Sequence, residues 1–134
     1  MSDGLTRALL RLIGAIQLVL GFLYLLAPQW LLAQMGHSAA PADLLYPLAM
    51  LAARFIAYGI GLWWAAGEPG RHAPWLRLMA LIQLIDLGAG VVATASGTVT
   101  LALSGFPMVN AVWIAAVCLQ AGRRPRGTGD LAMA

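Results

Sequence analysis

The chain has 134 residues, 61% of them hydrophobic and 10% charged, which is far more apolar than an ordinary soluble domain. Its formal charge is +3 and every basic residue is Arg, but these residues gather at the ends of apolar runs, where membrane topology accounts for them and a nucleic-acid surface is excluded. The single cysteine, Cys118, excludes an internal disulfide and a C-x-x-C redox pair.

A hydrocarbon core about 30 Å thick takes roughly 20 apolar residues in a helix, and four runs meet that requirement. The first is expected over residues 8–27, after a short polar start, and stops at Pro28. No small-x-small cleavage site follows it, so it is expected to remain in the mature protein. Gln17 interrupts it, and Gly14 and Gly21, seven apart on one face, allow a neighbouring helix to approach closely. The connector from Gln29 to Asp43 is too short to cross again, and Trp30 suits a segment lying at the headgroup level. His37 has no second ligand at metal spacing and reads as a loop residue, so no metal site is expected.

The second span is expected over residues 44–66, with Pro47 in its first turn. Ala49, Ala53, Ala57 and Gly61 recur every four residues, the pattern of a helix-packing ridge. Arg54 stands near its middle and Tyr58 lies one turn further on the same face. The connector GEPGRHAP stops the helix, and the third span is expected over residues 75–95, carrying Gln83 and Asp86 on one face. Counted from that connector at about 1.5 Å per residue, Arg54 and Asp86 lie ~18 Å and ~16 Å deep. An unpartnered charge at that depth costs roughly 2.5–3.5 kcal/mol, so the second and third spans are expected to form a hairpin with an Arg54–Asp86 contact at its centre. That pair serves equally well as a structural clasp or as a functional site.

The fourth span is expected over residues 99–121, with Pro107 either kinking it or marking its start, and with Asn110 at a depth matching the other polar groups. Residues 122–134 form a basic tail that should be flexible. Each span thus gives a polar side chain to one mid-membrane layer: Gln17, Arg54 with Tyr58, Gln83 with Asp86, and Asn110. IQLVLG from Ile16 recurs as IQLIDLG from Ile82 on spans of the same direction, a hint of a duplicated hairpin with parallel halves. Arg7 and Arg11, Arg71 and Arg77, and Arg123, Arg124 and Arg126 mark the start, the central connector and the end. The positive-inside rule therefore puts both termini in the cytoplasm. The expected fold is all-α, a single-domain integral membrane four-helix bundle with multiple passes through a bacterial inner membrane.

APQWLLAQMG after the first helix, Arg54 followed by AYGIGL, the connector EPGRHAPWLRL and QLIDLG in the third span together resemble the DoxX-like group of small four-span bacterial membrane proteins. The resemblance implies a four-helix bundle that often serves as a membrane subunit, with some relatives linked to quinone-coupled sulfur oxidation. It brings no catalytic residue to this chain. The leading expectation is a non-enzymatic accessory protein or subunit, with lipid and either a membrane protein or a second copy of itself as partners. One alternative is proton or small-solute transport using Arg54 and Asp86, with Asp86 held protonatable by burial. The other is a redox subunit whose Arg54, Tyr58, Gln83 and Asp86 bind a quinone. Neither histidine falls inside a span, which excludes a bis-His haem, and no resident cofactor is identifiable.

Overall fold

The computed structural model describes residues 2–123, and residues 124–134 of the expected basic tail, Arg124 and Arg126 among them, lie outside the described residues. Those residues form helices and connecting turns with no strand, and four helices are long and apolar enough to cross a membrane. The chain is built as a multi-pass membrane protein.

Helix α1, Asp3–Leu26, starts ahead of the expected span because Ser2 caps it: the Ser2 hydroxyl accepts from the Leu5 amide at 3.3 Å, and Asp3 sits in the first turn, where the helix dipole favours an acid. Pro28 then opens a short helix, α2, Pro28–Gln34, in the segment expected to lie at the interface. Gly36, at φ 82°, turns the chain back, and the Gln29 side chain holds the return by donating to the Ala40 carbonyl at 2.7 Å and accepting from the Ala40 amide at 3.0 Å. A 3-10 turn, Ala42–Leu44, leads into α3, Leu45–Ala65. After the central connector comes α4, Ala73–Ala95, with Pro74 in its first turn. Gly97, at φ 74°, makes the last turn before α5, Leu101–Ala121. α5 begins ahead of Pro107 and runs through it, so that proline does not mark its start.

The principal packing partners differ from the expected hairpin. α3 lies along α1 and α4 lies along α5, whereas α3 and α4 touch only sparingly. Glycine explains the choice. A Cβ on Gly14 would stand 2.9 Å from the Gly59 carbonyl oxygen and one on Gly59 would stand 2.8 Å from that of Gly14, so the α1 and α3 backbones are in contact there. At Gly21 the same atom would meet the Ile56 amide nitrogen at 3.0 Å and the Ala52 carbonyl oxygen at 3.1 Å. α4 and α5 close on Gly90, where a Cβ would meet Met108 Cγ at 2.7 Å, and through a 2.7 Å hydrogen bond between the Thr94 and Ser104 hydroxyls.

The expected ridge is corrected accordingly. Ala53 and Ala57 are exposed and Ala49 is half-buried, because the face of α3 that meets α1 carries Ala52 and Gly59 instead. Gly61 packs instead against α4, where a Cβ on it would overlap the Trp75 ring.

The two pairs share one apolar core at the end of the bundle that holds the chain start, the central connector and the end of α5. It is built from Leu10 and Ile13 of α1, Leu62 and Ala65 of α3, Leu76, Met79 and Ala80 of α4, and Ile114, Ala115, Cys118 and Ala121 of α5. Trp75, Trp113 and Tyr58 pack against its margin. At the opposite end the halves meet near Gly36, where a Cβ would stand 3.3 Å from Leu103 of α5.

Candidate functional site

Helical spacing places a polar layer directly on this core. Gln17 is one turn beyond Ile13 on the inner face of α1, and Gln83 is one turn beyond Met79 and Ala80 on the inner face of α4. Both are buried, with 1% and 5% of their surfaces exposed. Tyr58 reaches the same level from α3, half-buried against the core. On α5 the inner position one turn from Ile114 and Ala115 belongs to Ala111, which is buried and small.

Asn110 therefore does not join the layer as expected. It is half-buried, and its Oδ1 accepts a 2.7 Å hydrogen bond from the Trp113 indole on its own helix.

Arg54 is one turn beyond Tyr58 and Asp86 is three residues beyond Gln83, so the charges form a second level roughly 5 Å further from the core. Arg54 Nη2 donates to Asp86 Oδ2, and this contact ties α3 of one helix pair to α4 of the other. The guanidinium carbon lies 5.6 Å from the Tyr58 ring centroid and 5.8 Å from that of Phe55. Both rings offer their π-electrons to the cation, an attraction that strengthens where water is excluded. Tyr24 of α1 stacks in parallel on Phe55 with centroids 5.6 Å apart, so the aromatic support for Arg54 extends across to the first helix. The phenylalanine carried no signal in the sequence; only its adjacency to Arg54 could have suggested it.

Two features of this site are chemically unfinished. First, the side chains of Arg54 and Asp86 keep 33% and 38% of their surfaces exposed although they lie at mid-span, so the pair faces outward as well as inward. Second, among the described residues Gln17 Oε1 and Arg54 Nε are buried with no hydrogen-bond partner. An unmatched amide in an apolar interior costs about 1–3 kcal/mol, so the Gln17 position is not explained by packing alone.

The remaining candidates lie elsewhere. His37 is half-buried in the first connector, and the His72 ring packs against that of Trp64 at a 42° tilt with centroids 3.8 Å apart. Trp64, Gly67, Glu68, Arg71 and His72 line an open depression of about 350 Å³ in the central connector, where Arg71 and Glu68 form an exposed ion pair at 3.7 Å. Cys118 is buried in the core. Among the described residues no group of three or more His, Cys, Asp or Glu is placed to hold a metal ion.

No protein-family model matches the chain, and neither a curated protein nor a solved structure matches it significantly.

Proposed function

We propose that this protein is a non-enzymatic subunit of a complex in a bacterial inner membrane, a role its resemblance to the DoxX-like group implies, with both termini cytoplasmic by the positive-inside rule. The observation that carries the reading is the outward exposure of the Arg54–Asp86 pair at mid-span. Bare charge facing hydrocarbon is strongly unfavourable, and a partner helix that covers the pair removes that contact. The neighbouring surface suits such an approach: Ala53 and Ala57 of α3 and Ala89 of α4 are exposed and small, which lets another backbone come close.

Transport through the layer is the weaker reading. Between the layer and the terminal end lies a core of Leu10, Ile13, Leu62, Leu76, Met79 and Ile114 with at most 1% exposure, and that cluster carries no ionisable side chain other than the Cys118 thiol. A proton or polar solute would have to cross that apolar plug.

The test is mass spectrometry of the intact complex, extracted gently from the native membrane. A stoichiometric partner, retained by the wild type and lost on Ala53→Phe with Ala57→Phe, is the expected result. A protein that runs alone, or a partner indifferent to both substitutions, would contradict the proposal.

A further inference from the structure

We infer that the depression in the central connector binds a zwitterionic headgroup in which a phosphate diester is joined to a primary amine. The inference is separate from the subunit reading, which concerns the surface of α3 and α4 at mid-span.

The depression stands where such a headgroup is found. Residues 66–72 join the end of α3 to the start of α4, two helices fit to cross a membrane, so the connector lies at the bilayer surface. Trp63 and Trp64, both exposed at the end of α3, mark the headgroup level. The backbone there is fixed by the Glu68 carbonyl, which accepts from the Arg71 amide at 3.1 Å and from the His72 amide at 3.3 Å. That turn brings Glu68, Arg71 and His72 round to Trp64, and with Gly67 they line an open volume of about 350 Å³. Ligand pockets run from roughly 300 to 1,000 Å³, so this one admits a headgroup and not the acyl chains behind it.

The lining also selects the headgroup. Arg71 and Glu68 stand 3.7 Å apart with 60% and 65% of their side-chain surfaces exposed. An ion pair so exposed contributes about 0–1 kcal/mol, so both groups turn to a ligand at little cost. A phosphate diester accepts from the Arg71 guanidinium, with the His72 ring as a further donor, while a primary ammonium donates to the Glu68 carboxylate. Trp64, 62% exposed, offers indole surface to the same cation. A headgroup of net negative charge would be repelled by Glu68, and a quaternary amine has no N–H to give it. The primary amine and the phosphate diester together meet both charges of the lining.

This headgroup has two sources, phosphatidylethanolamine in the bilayer and free glycerophosphoethanolamine in water, and the experiment separates them. Delipidated protein in detergent would be titrated with dioleoyl phosphatidylethanolamine, with the phosphatidylcholine and phosphatidylglycerol of the same chains, and with glycerophosphoethanolamine, reading bound copies by native mass spectrometry. The ethanolamine headgroup is expected to bind one to one, and its lipid about fivefold or more tighter than the other two lipids. Binding of the lipid alone assigns the bilayer source, and displacement of the lipid by an equal concentration of the free diester assigns the aqueous one. Glu68→Gln should abolish the preference over phosphatidylcholine, and Arg71→Gln should weaken the binding of both lipids. Both residues are exposed, so neither substitution disturbs the core. Arg77→Gln, which removes an exposed charge of α4 outside the lining, should change neither. Equal binding of the three lipids, tighter binding of phosphatidylglycerol, or a preference that survives Glu68→Gln would overturn the inference.

Discussion

Gln17 shows how a single side chain can oppose stability and still be informative. Its amide is buried on a membrane helix with Oε1 unmatched, so replacing it with an apolar residue of similar length removes an unfavourable term. Gln17→Leu should therefore raise the unfolding free energy by about 1–2 kcal/mol in detergent, measured by denaturant titration. Asn110 should behave in the opposite way. It already satisfies the Trp113 indole, and Asn110→Leu would strand that donor and lower stability by about 1 kcal/mol in the same assay. Two amide side chains of similar depth thus separate by partner: Asn110 has its own and Gln17 does not.

At the scale of elements, glycine decides which helices pair. Gly14 and Gly59 hold α1 and α3 at backbone contact, so a larger residue at Gly14 meets the Gly59 carbonyl and the Trp63 ring at once. Gly14→Val should lower stability by about 1–3 kcal/mol. Gly88 on α4 is the control, since a Cβ there would have nothing within 4 Å, and Gly88→Ala should be neutral or stabilising by up to ~1 kcal/mol through helix propensity. Equal effects at the two positions would remove glycine as the reason for the pairing.

This is also where the sequence was least legible. In a soluble bundle the apolar stripe identifies the inner face, but lipid is as apolar as a helix neighbour, so a membrane helix carries no such stripe. The spacing of Ala49, Ala53, Ala57 and Gly61 on α3 is as regular as that of Ala52 and Gly59, and only the structure shows that the latter face α1. Polar residues were easier to place, because their position has a large energetic consequence. Counting depth was enough to bring Arg54 and Asp86 together, and the matched IQL segments at Ile16 and Ile82 put Gln17 and Gln83 at equivalent inner positions. Asn110 escaped that count because depth says nothing about which way a side chain faces.

For the whole molecule, two antiparallel helix pairs share a core at one end and are clasped near the middle by the Arg54–Asp86 ion pair. The Arg54–Asp86 clasp joins α3 of one pair to α4 of the other. The charge pattern predicts the orientation of this assembly: a thiol at Ser38→Cys or Thr98→Cys should react with an impermeant maleimide in intact cells, while Glu68→Cys should not. All three positions are exposed, and the native Cys118 is buried, so labelling reports side rather than access. Labelling of Glu68→Cys alone would reverse the topology.

The clasp itself is tested most directly by measuring the separation of the halves. Spin labels at the exposed positions Met50 of α3 and Val92 of α4 report it on the side of the ion pair away from the core, by double electron–electron resonance in nanodiscs. If the ion pair holds the halves together, the wild type gives one narrow distance distribution, Asp86→Asn a longer and broader one, and Arg54→Asp combined with Asp86→Arg recovers the narrow distribution. The same distribution in all three proteins would show that the helices are held by packing alone and that the ion pair joins nothing.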